Sequence, residues 1–226
     1  MKNKIAILQN KITILQIAIL QNKVTASQLI AIFIIPPLVL AFFPALRSLY
    51  TNIITIACCT FACIIIIIKE GWTWPDFHLN IEKQMIGPYI GFTVAGLLFL
   101  MVAVPLVNWM KGGEFSIQIK KELLKKDFLK YVLIVIICLL QAFSYKTFLF
   151  KKLSNFTQEK WTLILLNTGF FTIMHAMFPW GFIGICCFGG LGFAYIYYHY
   201  QSLVLMTISH TILNFTAALL GAFQTY

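Results

Sequence analysis

The sequence predicts an all-α protein, a polytopic bundle that crosses a membrane about seven times. Of its 226 residues, 60% are hydrophobic and only 11% are charged, whereas about a quarter of the residues in soluble domains are charged. Apolar runs of about 20 residues, the length that crosses a bilayer as a helix, recur along the chain between short polar breaks. We therefore expect an integral, multi-pass membrane protein.

The charges favour a membrane partner over nucleic acid. Seventeen Lys and Arg against seven Asp and Glu give a net charge of +10. The lysines flank apolar runs instead of covering a polar domain, so the excess is suited to anionic lipid headgroups. All six cysteines lie inside apolar segments, which favours small buried side chains over a disulfide or metal framework.

Residues 1–25 are predicted to form a separate N-terminal segment. The string IAILQNK occurs twice, at 5–11 and at 17–23. As a helix this segment is amphipathic, with isoleucines and leucines opposite lysines and amides, so it is expected to lie in the membrane interface or to pair with another helix. The alternative is a low-complexity extension without a specific role.

Residues 26–130 are predicted to hold three spans and an interfacial helix. Pro36, Pro37 and Pro44 lie within the first span and predict that it is kinked or broken. Trp72 and Trp74 lie in the loop after the second span and are typical of the membrane interface. Apolar residues alternate with lysines in the basic segment at 111–130. This pattern predicts an interfacial amphipathic helix that leads into span four. The three spans are predicted at 29–46, 49–68 and 86–107.

Residues 131–226 are predicted to form a four-helix core. Polar residues are costly in hydrocarbon, so they are expected to face the interior of the bundle or one another. Rises of about 1.5 Å per residue place Gln141, His175 and His210 roughly 15, 8 and 12 Å from the same membrane face. They can therefore meet. The spans are predicted at 131–153, 161–178, 181–198 and 202–223, and their polar residues are Gln141, Lys146, Asn167, His175, His210 and Asn214.

Two short motifs and one degenerate motif connect these residues. Residues 171–175 read FTIMH and residues 210–214 read HTILN, while the fourth span carries QAFSYKT from Gln141. In this order and spacing, the last hundred residues resemble the CAAX prenyl endopeptidase and bacteriocin-processing family (CPBP, also called ABI) of intramembrane proteases. The motifs of that family are EExxxR, FxxxH and HxxxN. The resemblance implies a prokaryotic cytoplasmic membrane protein and a site at the six motif positions Gln141, Ala142, Lys146, His175, His210 and Asn214.

The first motif departs from the family where the chemistry is expected. The resemblance implies that its first glutamate is the general base, and that the histidines and the asparagine bind or stabilise the oxyanion. Gln141 and Ala142 replace the two glutamates, and Lys146 replaces the arginine. Peptide hydrolysis needs a proton acceptor near neutral pH, which an amide is not. No Asp or Glu occurs at 128–158 or at 160–226.

Substitute chemistries are limited. A histidine can act as a base but is then lost as an oxyanion donor, and Cys138 is the one thiol a single turn from Gln141. His175 and His210 alone fall short of the three protein ligands of a catalytic zinc. We therefore expect no cofactor, with these two histidines as the ligands of any divalent metal.

Three functions follow. The first is a pseudoprotease that binds a membrane peptide, a lipidated peptide or another membrane protein without cleaving it, as a scaffold, regulator, immunity protein or complex subunit. The second is an active endopeptidase with an unusual base or with deliberately substituted catalytic residues. The third is a transporter or channel subunit.

The direction of the Lys146 side chain has two alternatives, since it either faces the cavity or extends towards the headgroups. The further positions predicted to line the cavity are Tyr145, Asn167 and Phe171.

Overall fold

A computed structural model describes residues 23–43, 49–112 and 128–222. Within these residues the secondary structure is helical without strands, which confirms the predicted all-α bundle. Five helices are long and apolar enough to cross a membrane, and two are shorter, with 15 and 17 residues. In chain order the helices are α1 Lys23–Phe42, α2 Leu49–Glu70, α3 Lys83–Met110, α4 at 128–153, α5 Lys160–Met174, α6 Trp180–His199 and α7 Leu203–Leu219.

Two predicted elements lie mostly outside the described residues. The amphipathic N-terminal segment at 1–25 falls almost wholly before residue 23, and the basic interfacial helix at 111–130 falls mainly within 113–127. Both elements, and the division of the chain at residues 25 and 130, stay predictions.

Helix α4 lies at the centre of the bundle. From 141 to 150 every side chain except that of Phe143 is buried, as expected for a helix that is surrounded by protein. Polar and aromatic contacts join it to its neighbours. They are the edge-to-face pair of Tyr145 with Phe33 of α1 (ring centroids 4.7 Å apart), the 2.9 Å hydrogen bond of Ser144 with Thr60 of α2, and the 2.9 Å hydrogen bond of Thr147 with Tyr197 of α6.

The first span departs from regular α-helix next to Pro36 and Pro37, whereas Pro44 lies outside the described residues. A π-helical turn at Ile30–Ile34 precedes Pro36 and Pro37. In an α-helix the carbonyl of Ile32 would accept from the amide of residue 36, which proline lacks. The thiol of Cys59 on α2 donates to this carbonyl at 3.0 Å instead.

The end of α2 and the loop between α2 and α3 contact α4 and α7. Lys152 at the end of α4 forms an ion pair with Glu70, and Lys151 forms one with Asp76 at 2.6 Å while its ammonium lies 4.2 Å from the centroid of the Trp72 ring. The backbone amide of Leu203 also donates to the carbonyl of His78 at 2.9 Å. This loop therefore joins the end of α2 to α4 and α7.

Helix α5 is shorter than its apolar run predicts. The helix ends at Met174, and the following residues form tight turns, with the amides of His175 and Ala176 bonded to the carbonyls of Thr172 and Ile173. Proline at 179 disfavours helical backbone in the residue before it, so a helix through 178 is not supported. His175 consequently caps the helix instead of lying within it.

Candidate functional site

The first motif lies on a π-helical stretch. Residues Ala142–Phe148 form a π-helix directly after Gln141. In an α-helix, residues five apart point about 140° away from each other, whereas hydrogen bonds from i to i+5 bring such residues towards one face. The local geometry thus brings Gln141 and Lys146 nearer to one side of α4.

Lys146 points into the protein. Its side chain is 2% exposed, and its ammonium donates to Oδ1 of Asn167 at 2.7 Å and lies 4.9 Å from the centroid of the Phe171 ring. Asn167 in turn donates from Nδ2 to the carbonyl of Tyr145 at 2.5 Å. The asparagine therefore fixes both the lysine and the backbone of the π-helix, and the alternative of a lysine that extends to the headgroups is wrong.

The Phe171 ring lies between the motif residues. Its centroid is 4.8 Å from the imidazole of His175, 5.9 Å from that of His210 and 6.2 Å from the ring of Tyr145. Gly190 on α6 makes room for this ring. The structure thus gathers the second motif, the third motif and Lys146 of the first around one aromatic side chain.

The orientation of His175 follows from its hydrogen bond. Nδ1 lies 2.8 Å from the carbonyl oxygen of Phe171. A carbonyl can only accept, so Nδ1 carries a proton, and in the neutral imidazole Nε2 is left as an acceptor. His175 is 9% exposed. The hydrogen bond of Nδ1 therefore assigns Nε2 of the neutral His175 ring as a proton acceptor.

The third motif faces α4. His210 packs on two aromatic rings, with ring centroids 4.8 Å apart for Phe193 of α6 and 5.9 Å apart for Phe171 of α5. Four residues later, Asn214 donates from Nδ2 to Sγ of Cys138 at 3.2 Å. Cys138 lies one turn before Gln141, so HTILN packs beside the first motif.

Gln141 occupies the position of the expected general base and is poorly satisfied. Its side chain is 5% exposed, and its one polar contact is a long one of 3.7 Å from Nε2 to Sδ of Met174. Oε1 is buried and has no hydrogen-bond partner among the described residues. Ala142 is 1% exposed and brings no polar atom. The site therefore contains an unused buried acceptor where the family pattern has a carboxylate.

The acidic residues that the structure describes are engaged elsewhere. Glu70 and Asp76 pair with Lys152 and Lys151. Glu82 accepts from Asn80 and Gln84, and Glu159 accepts the first amides of α5. Hydrogen bonds from the side chain and the amide of Thr162, and then from the Trp161 amide, hold the pKa of Glu159 below its usual value. None of the four carboxylates contacts the motif residues.

The donor set does not suit a catalytic metal. In the described parts of the chain, no group of three or more His, Cys, Asp or Glu side chains is placed to hold an ion. His175 and His210 supply two ligands, one fewer than the three that a catalytic zinc usually keeps.

Sequence reasoning missed several contributors. Met174, Phe193 and Gly190 form part of the wall of the site, but their residue types occur throughout the apolar spans and carry no distinguishing signal.

A groove of about 1010 Å³ also lies beside α5, between α1 and α6. Its walls are mostly apolar, and the buried hydroxyl of Thr172 there has no partner among the described residues.

Fold and site together define a class: a multi-pass helical membrane protein with a buried cluster of motif side chains on its fourth, fifth and seventh helices. Residues 128–216 match the family model described as type II CAAX prenyl endopeptidase Rce1-like. This part of the chain is similar to that family, and the match agrees with the predicted resemblance to the CPBP family. Neither the curated proteins nor the solved structures provide a match.

Proposed function

We propose that this protein is a catalytically degenerate member of the CPBP group that binds a membrane peptide, a lipidated peptide or a partner membrane protein without cleaving it. The observation that carries the proposal is the buried amide of Gln141 at the position of the general base. An amide cannot take a proton from water near neutral pH. The adjacent Ala142 cannot replace it.

The surroundings of Gln141 support the proposal. No Asp or Glu occurs at 128–158 or at 160–226. The carboxylates described in the N-terminal part form ion pairs or hydrogen bonds outside the site. The other site groups remain suited to binding, since Lys146 and the imidazoles offer hydrogen bonds in a setting of low dielectric. The apolar groove beside α5 offers surface for a hydrophobic ligand.

An active endopeptidase is the second candidate, and one observation favours it. Nε2 of His175 is an acceptor in the tautomer that its hydrogen bond selects. It could take a proton from a water molecule if His210 and Asn214 held the oxyanion. The cleavage test decides between the two candidates.

The proposed location is the cytoplasmic membrane of a prokaryote. We propose lipid as a partner, and neither nucleic acid nor a cofactor.

The test of the proposed function uses the purified chain in lipid nanodiscs with a fluorescent, apolar, farnesylated peptide. Binding with recovery of the intact peptide supports the pseudoprotease. Release of a shorter peptide that His210→Ala abolishes contradicts it and supports the active enzyme.

A further inference from the structure

Two buried lysines on α4 differ in whether a negative charge lies beside them. Lys152 is 3% exposed and has a carboxylate partner, Glu70. Lys146 is 2% exposed, but its hydrogen-bond partner is the neutral amide of Asn167, and its other close contact is the face of Phe171. A buried charge usually has an opposite charge beside it. The described part of the chain supplies one to Lys152 and none to Lys146.

The donors of Lys146 are also only partly used. An ammonium has three N–H donors, and the described contacts of Lys146 use one of them for a hydrogen bond. His210 and Lys146 both contact the Phe171 ring, and no hydrogen bond joins the His210 imidazole to the described residues. The buried ammonium of Lys146 therefore has N–H donors for which the described residues supply no acceptor.

Gln141 adds a complementary feature. Its Oε1 is buried without a partner in the described chain, so it is an acceptor that is available to an N–H group. A peptide that ends in a free carboxylate carries both an anion and an amide N–H within one residue. A fatty acid carries the anion alone.

We infer that this site binds a carboxylate of a membrane-embedded ligand through the ammonium of Lys146, with Asn167 holding the ammonium in place. The ligand is either the C-terminus of an apolar peptide or a free fatty acid from the bilayer, since both present the same group. This inference deepens the proposed binding function and rests on it. Charge-assisted hydrogen bonds of this kind are worth more than neutral ones when both partners are buried.

The test measures binding to the full chain in nanodiscs of zwitterionic lipid. The probes are a fluorescent leucine- and alanine-rich peptide with a free carboxylate, the same peptide with a C-terminal amide, and fluorescent oleate. The acid is expected to bind about tenfold more tightly than the amide, or better, as loss of a charged hydrogen bond implies. Lys146→Met should remove this preference, and Lys146→Arg should retain it.

Lys151→Met is the matched control, because Lys151 lies on the same helix and pairs with Asp76 at the membrane face. It should leave the preference unchanged. Thermal unfolding monitored by tryptophan fluorescence shows that each variant is folded, and Lys146→Arg provides the comparison if Lys146→Met is unstable.

The outcomes separate the inference from the proposed function. Equal binding of acid and amide by the unaltered chain overturns the carboxylate inference and leaves peptide binding standing. Binding of oleate alone, lost in Lys146→Met, supports the carboxylate inference and overturns peptide binding. Absence of binding by all three probes overturns both. A preference for the acid that survives Lys146→Met overturns the assignment to Lys146.

Discussion

A Cβ atom at Gly190 would lie 2.9 Å from Cδ1 of Phe171. Ordinary Cβ contacts are not so short, and the Phe171 ring is confined by His175 and His210. The absence of a side chain at 190 therefore sets how closely α5 and α6 approach beside the motif residues. Small residues are common where membrane helices pack closely.

Gly190→Ala is expected to destabilise the protein by about 1–3 kcal/mol, because the added methyl group must displace a buried ring. The measurement is the thermal unfolding midpoint in detergent. Gly189→Ala is the matched control, since a Cβ at 189 meets nothing within 4 Å. Equal effects of the two substitutions would contradict the close packing of Gly190 against Phe171.

Asn167→Leu is expected to lower the free energy of unfolding by about 1–3 kcal/mol, because the substitution removes the hydrogen-bond partner of a buried ammonium and of the Tyr145 carbonyl. Lys146→Met combined with Asn167→Leu should cost less than the sum of the two single substitutions, as expected for side chains in contact. Strict additivity in equilibrium unfolding would show that the two side chains do not interact. Asn167→Asp tests the same contact by supplying the missing negative charge.

The ion pair of Asp76 predicts a dependence of stability on pH. The hydrogen bond from Lys151, followed by that from the Thr73 amide, lowers the pKa of Asp76 from 3.8 to about 2. A carboxyl with a lowered pKa in the folded state contributes stability that is fully present above its unfolded pKa, about 4, and is lost as the pH falls towards 2. The difference in unfolding temperature between the unaltered chain and Asp76→Asn should thus shrink as the pH falls through this range.

The control for this titration is Lys151→Met, which removes the ion-pair partner of Asp76. In the Lys151→Met background, Asp76→Asn should lose most of its pH-dependent effect on the unfolding temperature. The role given to the Asp76 pair would be wrong if Asp76→Asn gave the same profile with and without Lys151.

The spans and the grouping of the site residues follow from general rules that the sequence satisfies. Apolar length predicts helices that cross a membrane, and the cost of polar groups in hydrocarbon predicts that Gln141, His175 and His210 face inwards. These rules depend only on composition and spacing, so one sequence is sufficient. The roles given to the motif residues stay predictions.

The remaining features depend on contacts between distant residues. The π-helix at Ala142–Phe148 is associated with the bond from Asn167 to the Tyr145 carbonyl, which a periodicity analysis of α4 cannot include. The direction of Lys146 depends on the same asparagine. The end of α5 at Met174 reflects turns whose apolar residues are indistinguishable in hydropathy from a continuing helix.

The most direct measurement of the central claim is peptidase activity before and after restoration of the two carboxylates. The unaltered chain, the double variant Gln141→Glu with Ala142→Glu, and that double variant with His210→Ala are compared in nanodiscs on a farnesylated fluorescent peptide. A degenerate site predicts no cleavage by the unaltered chain, cleavage by the double variant, and loss of that cleavage when His210 is removed. Cleavage by the unaltered chain at a rate equal to that of the double variant would contradict the claim that Gln141 leaves the site without its proton acceptor.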